Sequence, residues 1–116
     1  IPRRFKIINL PFKQIDEVYR SADLFVYPTS PWESFGIAIL EAMSSNLPVV
    51  ASGDSIRREI VGDAGLFAKV ENLDEYSNAI SKALKLNWGQ KPRIQAEKFS
   101  WENATSKYEK LFKSLI

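Results

Sequence analysis

Cysteine and histidine are both missing from this 116-residue sequence. Without cysteine there is no disulfide framework and no thiolate chemistry, which fits a reducing compartment. Without histidine, serine–histidine nucleophilic catalysis and histidine-ligated zinc are excluded within the chain. Side-chain chemistry must come from Asp, Glu, Lys, Arg, Ser, Thr or Tyr. Long apolar runs are absent as well: residues 24–27 and 37–40, the longest, fall far short of a membrane span. Charge of one sign is also scarce, with a formal net charge of +2. Only Arg3-Arg4 and Arg57-Arg58 are adjacent basic pairs, and both read as solvated surface. A nucleic-acid footprint needs a denser basic stripe, so no nucleic-acid partner is expected. No signal-peptide pattern is visible, and because Ile1 is not a natural start, further polypeptide is expected upstream.

What is present has the balance of a soluble globular domain, 45% hydrophobic and 26% charged. Its length fits one domain with a modest core. Strand and helix patterns alternate. Residues 5–10 are apolar and isoleucine-rich, closed by Pro11, and predict a buried strand. Residues 14–22 place Ile15, Val18, Tyr19 and Ala22 at helical spacing. Residues 24–27 predict a second strand, stopped by Pro28. Residues 37–45 are apolar on nearly every face except Glu41 and predict a helix packed on most sides. Asn46 follows, a residue able to take the left-handed conformation that ends helices. Residues 48–51 predict a third strand and residues 65–68 a very short fourth. Beyond Leu73 the pattern is helical, over residues 73–86, 92–98 and 101–115, with Ser100 as N-cap of the last. The fold class expected is α/β, a Rossmann-like, mostly parallel sheet with flanking helices. In such sheets ligands bind beyond the carboxyl ends of the strands, which is where the segment after Tyr27 lies.

That segment runs Pro28-Thr-Ser-Pro-Trp-Glu33-Ser-Phe-Gly36-Ile-Ala-Ile-Leu-Glu41-Ala. A strand ends at a proline, a loop follows, and a helix opens near Gly36. Free amides at a helix start attract phosphate, and glycine lets the backbone approach a ligand closely. Glu33 precedes the helix, and Glu41 lies about 7.5 Å along its axis from Gly36 at 1.5 Å per residue. Carboxylates repel a pyrophosphate but accept hydrogen bonds from diols. One can hold a ribose and the other a sugar, with the pyrophosphate between them. Plainer readings stand beside these: Glu33 as a loop surface residue, Gly36 as a turn glycine, Trp32 and Phe35 as core or lid aromatics. Glu41 resists the plain reading, because a carboxylate among Ile37, Ala38, Ile39, Leu40, Ala42 and Met43 is partly buried and needs a partner. These residues by themselves name no reaction.

At these residues the chain resembles the large retaining glycosyltransferase family that includes bacterial glycogen synthases, sucrose synthases and many mannosyl- and glucosyltransferases, the family 4 type. Its hallmark, Glu, seven residues, Glu, reads Glu33-Ser-Phe-Gly-Ile-Ala-Ile-Leu-Glu41. Ala22-Asp-Leu-Phe-Val-Tyr-Pro28 before it and Pro48-Val-Val-Ala-Ser52 after it also match, as do Arg58-Glu-Ile-Val-Gly-Asp-Ala-Gly-Leu-Phe67 and Phe99-Ser-Trp101. The ordered series covers nearly the whole chain. Ser34, Ala38 and Asn46 depart from the residues usual in the family.

The resemblance implies that residues 1–116 are the nucleotide-sugar-binding part of the C-terminal domain of a GT-B fold, in which two Rossmann-like domains face each other. Glu41 is then expected to hold the ribose of the donor. Glu33 is expected to contact hydroxyls of the transferred sugar and is the catalytic candidate. Ser34, Phe35, Gly36 and Ile37 are expected to line the diphosphate or sugar, and Leu10, Pro11 and Phe12 to touch the base. The donor is a nucleoside diphosphate hexose and the acceptor a glycan or lipid-linked sugar, reached through the N-terminal domain. No metal and no other cofactor is expected, and the expected location is the cytoplasm, peripheral to the membrane in the full-length enzyme. The first two strand–helix units and the acceptor domain are not in the chain, so the fragment is expected to be inactive by itself. In the strand order 3-2-1-4-5-6 its sheet is expected to have a gap, and the exposed edges invite homo-oligomers. The competing reading is a non-catalytic α/β interaction or nucleotide-binding module derived from the same fold. A generic nucleotide-binding domain is disfavoured, because no glycine-rich phosphate loop follows any strand.

Overall fold

Phe25–Tyr27 (β1), Val49–Ala51 (β2) and Gly65–Phe67 (β3) are built from residues that favour extended backbone, Phe-Val-Tyr and Val-Val-Ala above all. They pair in parallel in the order β1-β2-β3, with Val26 opposite Val50 and Val50 opposite Leu66. The computed structural model describes residues 4–28 and 36–116. Around the sheet lie Ile15–Ser21 (α1), Ile37–Ser44 (α2), Ser55–Val61 (α3), Leu73–Lys85 (α4), Lys91–Glu97 (α5) and Trp101–Ser114 (α6). No helix among the described residues is long and apolar enough to cross a membrane.

The central strand explains the layering. Val49, Val50 and Ala51 are all fully buried, and alternate side chains point to opposite faces. Val49 and Ala51 join Ile39 and Met43 of α2, Ile60 and Val61 of α3, and Ala96 of α5 in one cluster. Val50 joins Tyr76 and Ala83 of α4 in the other, closed by Leu66, Ile80 and Trp88. Helices therefore cover both faces of a parallel sheet, the Rossmann-like arrangement expected. Gly65 is required where β3 meets β2, because a Cβ there would run into the Val49 carbonyl oxygen.

Helix ends follow local chemistry. Asn46 takes the left-handed conformation, φ 62°, and closes α2 with bonds from Leu47 N to Ala42 O and from Asn46 N to Met43 O. Its side chain then reaches α5, donating to Gly89 O at 2.8 Å and accepting from Arg93 N at 3.2 Å. Ser100 caps α6 by accepting from Asn103 N at 3.1 Å.

Three expectations are corrected, and helix α3 has no counterpart among them. The sheet of the described residues is contiguous, β1-β2-β3, without the expected gap. Residues 5–10 are not a strand: they lie outside the sheet, with Phe5 72% and Ile7 83% exposed. A strand is held by its ladder, and among the described residues no strand pairs with this segment, so its strand composition has nothing to act on. Arg57 is not solvated surface. It is fully buried on α3 and paired with Asp54 at 3.6 Å, because the same helical face carries Ile60 and Val61 into the core. Helix α3 itself had readable signals, an Asp54 N-cap and a Gly62 stop. Its mixed run of Arg, Arg and Glu hid a short apolar face.

Candidate functional site

Strand β1 delivers the chain to Pro28 at the carboxyl edge of the sheet. Glu33, Ser34 and Phe35 lie outside the described residues, as does Trp32. The description resumes at Gly36, whose φ of 85° and ψ of 64° belong to the left-handed region. A Cβ at Gly36 would stand 3.3 Å from Ile39 Cδ1 and 3.4 Å from Tyr27 Cε1, so the turn is packed against the end of β1. Helix α2 opens immediately after it, and Ile37 in its first turn is exposed. A helix start thus sits just beyond a parallel strand, the position where amides of a doubly wound fold meet ligands.

Glu41 lies on this helix beside Ile39, Ala42 and Met43, all of which are buried, and is itself half-buried. The partner that its position demanded is Tyr19 of α1, whose hydroxyl donates to Glu41 Oε2 at 3.1 Å. The Tyr19 ring meets Phe25 edge-on at 5.9 Å, and Phe25 stacks on Tyr27 at 5.8 Å. An aromatic ladder therefore runs from the glutamate's partner to the turn at Gly36. Burial, then the hydrogen bond and charge of Glu41, then the charge of Asp16 push the Tyr19 hydroxyl up to about 12. It stays a neutral donor at ordinary pH. Glu41 also lines a cleft of about 410 Å³ together with Asp16 and Arg20 of α1, Ser44 and Ser45 at the end of α2, and Arg93 of α5.

Of the residues singled out from sequence, Gly36 and Ile37 open α2 and Glu41 lies in its second turn, where it lines the cleft with residues at the end of α2 and not with Gly36 or Ile37. Leu10 is half-buried, while Pro11 and Phe12 are exposed; Gln14 N donates to Pro11 O, closing a short turn that leads directly into α1. Tyr19 escaped sequence reasoning because it occupies an apolar helical position. The available signal was its hydroxyl, which needs a partner once the ring is packed. A second cleft of about 300 Å³ lies beyond the carboxyl ends of β2 and β3, lined by Ser52, Asp54, Arg58, Phe67, Lys69 and Glu75 among others. Arg58 is fixed there, its Nε donating to Gly53 O at 2.8 Å and its guanidinium 4.7 Å from the centre of the Phe67 ring. Sequence reasoning placed nothing at this second cleft.

Comparison with known proteins adds to this geometry. Residues 6–101 match the sequence profile described as glycosyl transferases group 1. The O-antigen chain mannosyltransferase B of Escherichia coli is 40% identical over 111 residues, covering 91% of this chain and 29% of the relative. An uncharacterized glycosyltransferase of Methanocaldococcus jannaschii is 32% identical over 122 residues, covering 95% of this chain and 31% of the relative. A D-inositol 3-phosphate glycosyltransferase of Corynebacterium aurimucosum is 28% identical, covering 88% of this chain and 26% of the relative. The chain thus spans roughly a quarter to a third of the length of these relatives.

Proposed function

The chain belongs to the glycosyl transferases group 1 family, and from that premise we propose that it forms the donor-binding part of a retaining glycosyltransferase of GT-B architecture. The reaction is transfer of a hexose from a nucleoside diphosphate sugar to a glycan or lipid-linked acceptor. The observation that carries this reading is Glu41: a half-buried carboxylate, the one charged side chain of a largely apolar helix that opens at Gly36, just beyond a parallel strand. A half-buried carboxylate on a packed helix costs stability, and recognition of ligand hydroxyls accounts for its presence.

On this reading Glu41 accepts the ribose hydroxyls, and the amides near Gly36 and Ile37 face the diphosphate. Glu33 contacts the transferred sugar nearest the chemistry, flanked by Ser34 and Phe35. The turn at Leu10, Pro11 and Phe12 borders the base. The acceptor is held by the remainder of the full-length protein, in the cytoplasm, at the membrane surface where the acceptor is lipid-linked. The departing diphosphate is stabilised by amides and cationic side chains, without a metal ion.

The test is a titration of the full-length protein with UDP, GDP and ADP, by calorimetry or NMR, with and without EDTA. At least one nucleotide is expected to bind equally well in both conditions. Strict dependence on Mg²⁺, or no binding by any of the three, would count against the proposal.

A further inference from the structure

Glu41 is reached from a second helix. Tyr19 belongs to α1, and its hydroxyl donates across the helix interface to Glu41 Oε2 at 3.1 Å. A glutamate free to rotate about three side-chain bonds loses conformational entropy when a ligand fixes it. A tyrosine has two such bonds, and the edge-on contact with Phe25 at 5.9 Å restrains this one. Tyr19 therefore spends that ordering before any ligand arrives. The geometry also sets what remains available. One lone pair of Oε2 receives the tyrosine, leaving the other lone pair and both lone pairs of Oε1. That is enough to accept both hydroxyls of a vicinal diol in the cleft that Glu41 lines.

We propose that Tyr19 is a positioning residue for the nucleotide: its hydroxyl holds the Glu41 carboxylate in the orientation that accepts the ribose 2′- and 3′-hydroxyls together, and so sets the preference for ribonucleotide over 2′-deoxyribonucleotide. This rests on the reading of Glu41 as the ribose carboxylate. Tyr19 itself touches neither substrate nor reacting atoms; it acts through Glu41. Asp16 and Arg20, four residues and so about one turn apart on α1, border the same cleft, so α1 contributes one wall of the nucleotide site.

The experiment uses the full-length protein and its Tyr19→Phe, Glu41→Gln and doubly substituted forms. The affinity of whichever of UDP, GDP or ADP binds best is measured beside that of its 2′-deoxy analogue. Tyr19→Phe keeps the ring and its packing on Phe25, and melting curves check that each form is folded. It is expected to weaken the ribonucleotide about three- to tenfold, less than direct loss of a charged acceptor because Glu41 itself is kept, and to leave the deoxy analogue nearly unchanged. In the Glu41→Gln background the same substitution is expected to have little further effect. Equal weakening of both nucleotides by Tyr19→Phe, or additive losses in the double form, would make Tyr19 merely structural and overturn the proposal. Wild-type affinities in Tyr19→Phe with weakened binding in Glu41→Gln would overturn it while leaving the role of Glu41 standing. Wild-type affinities in Glu41→Gln would overturn both.

Discussion

The side-chain amide of Gln95 occupies the space that a Cβ on Gly62 would need, its Nε2 only 2.8 Å from that point. The same Nε2 donates to Ile60 O at 3.0 Å and Glu59 O at 3.3 Å, the carbonyls left unpaired as α3 ends. Gly62 turns the chain with φ 56° and ψ −127°, a conformation nearly closed to other residues. Helix α5 thus caps α3 through a glutamine, and this works only because the capped turn has no side chain.

Gly62→Ala is therefore expected to destabilise the protein by about 1–3 kcal/mol from backbone strain, with further loss from displacing Gln95. Gln95→Ala is expected to cost about 1–3 kcal/mol, since it leaves two carbonyls unpaired beside the core. Urea unfolding of each variant measures this. A change below about 0.5 kcal/mol in either would mean that α3 does not depend on this contact.

The two glutamates of the motif are expected to separate in function within the full-length protein. Glu41→Gln should weaken the bare nucleoside diphosphate and the nucleotide sugar together, by roughly ten- to a hundredfold for loss of a charged acceptor. Glu33→Gln should leave the bare nucleotide nearly untouched while lowering turnover with the sugar donor. Binding measurements beside steady-state kinetics decide it. Equal weakening of nucleotide binding by the two substitutions would show that their roles are shared.

Alkaline titration should find two late phenols. Burial and the neighbouring carboxylates of Glu41 and Asp16 raise Tyr19 to about 12. Burial raises Tyr76 to about 12 against a smaller opposing contact with the Tyr27 backbone, and its hydroxyl donates to Val50 O at 2.9 Å. Both hold their protons in the folded state beyond the unfolded value near 10. Their contribution to stability is fully present below about pH 10 and is lost as pH rises through about 12. Phenolate absorbance should show both titrating near 12, and Tyr19→Phe should remove one of them. A folded protein in which all four tyrosines titrate near 10 would contradict the burial described for Tyr19 and Tyr76.

The 116-residue chain in isolation is expected to self-associate. Among the described residues β1 ends the sheet with no strand on its outer side, and Val26 on it is exposed. Phe5, Ile7 and Phe12 add apolar surface on the segment that leads into α1. Unpaired strand edges and apolar patches favour association. Light scattering across a concentration series tests this, and a strictly monomeric, cooperatively folding chain would show that the edge is harmless.

What the sequence determined by itself was most of what neighbours along the chain govern, helix α3 excepted. The period of apolar residues predicted α1, α2, α4, α5 and α6 to within a residue or two at each end. Ser100 was readable as a cap, and Asn46 as a left-handed helix end, because both act on backbone groups within a few residues. Glu41 announced that it needed a partner, since helical periodicity alone puts it among buried side chains. Tertiary structure decided who that partner is, because Tyr19 lies 22 residues away and reaches Glu41 only when α1 and α2 pack together. It decided that residues 5–10 leave the sheet, since a strand exists only through hydrogen bonds to another strand. It also decided that Arg57 is buried while adjacent Arg58 stacks on Phe67, because consecutive helical positions face different surroundings. Local pattern sets which backbone conformations are favourable; partners distant in sequence set which of them are completed.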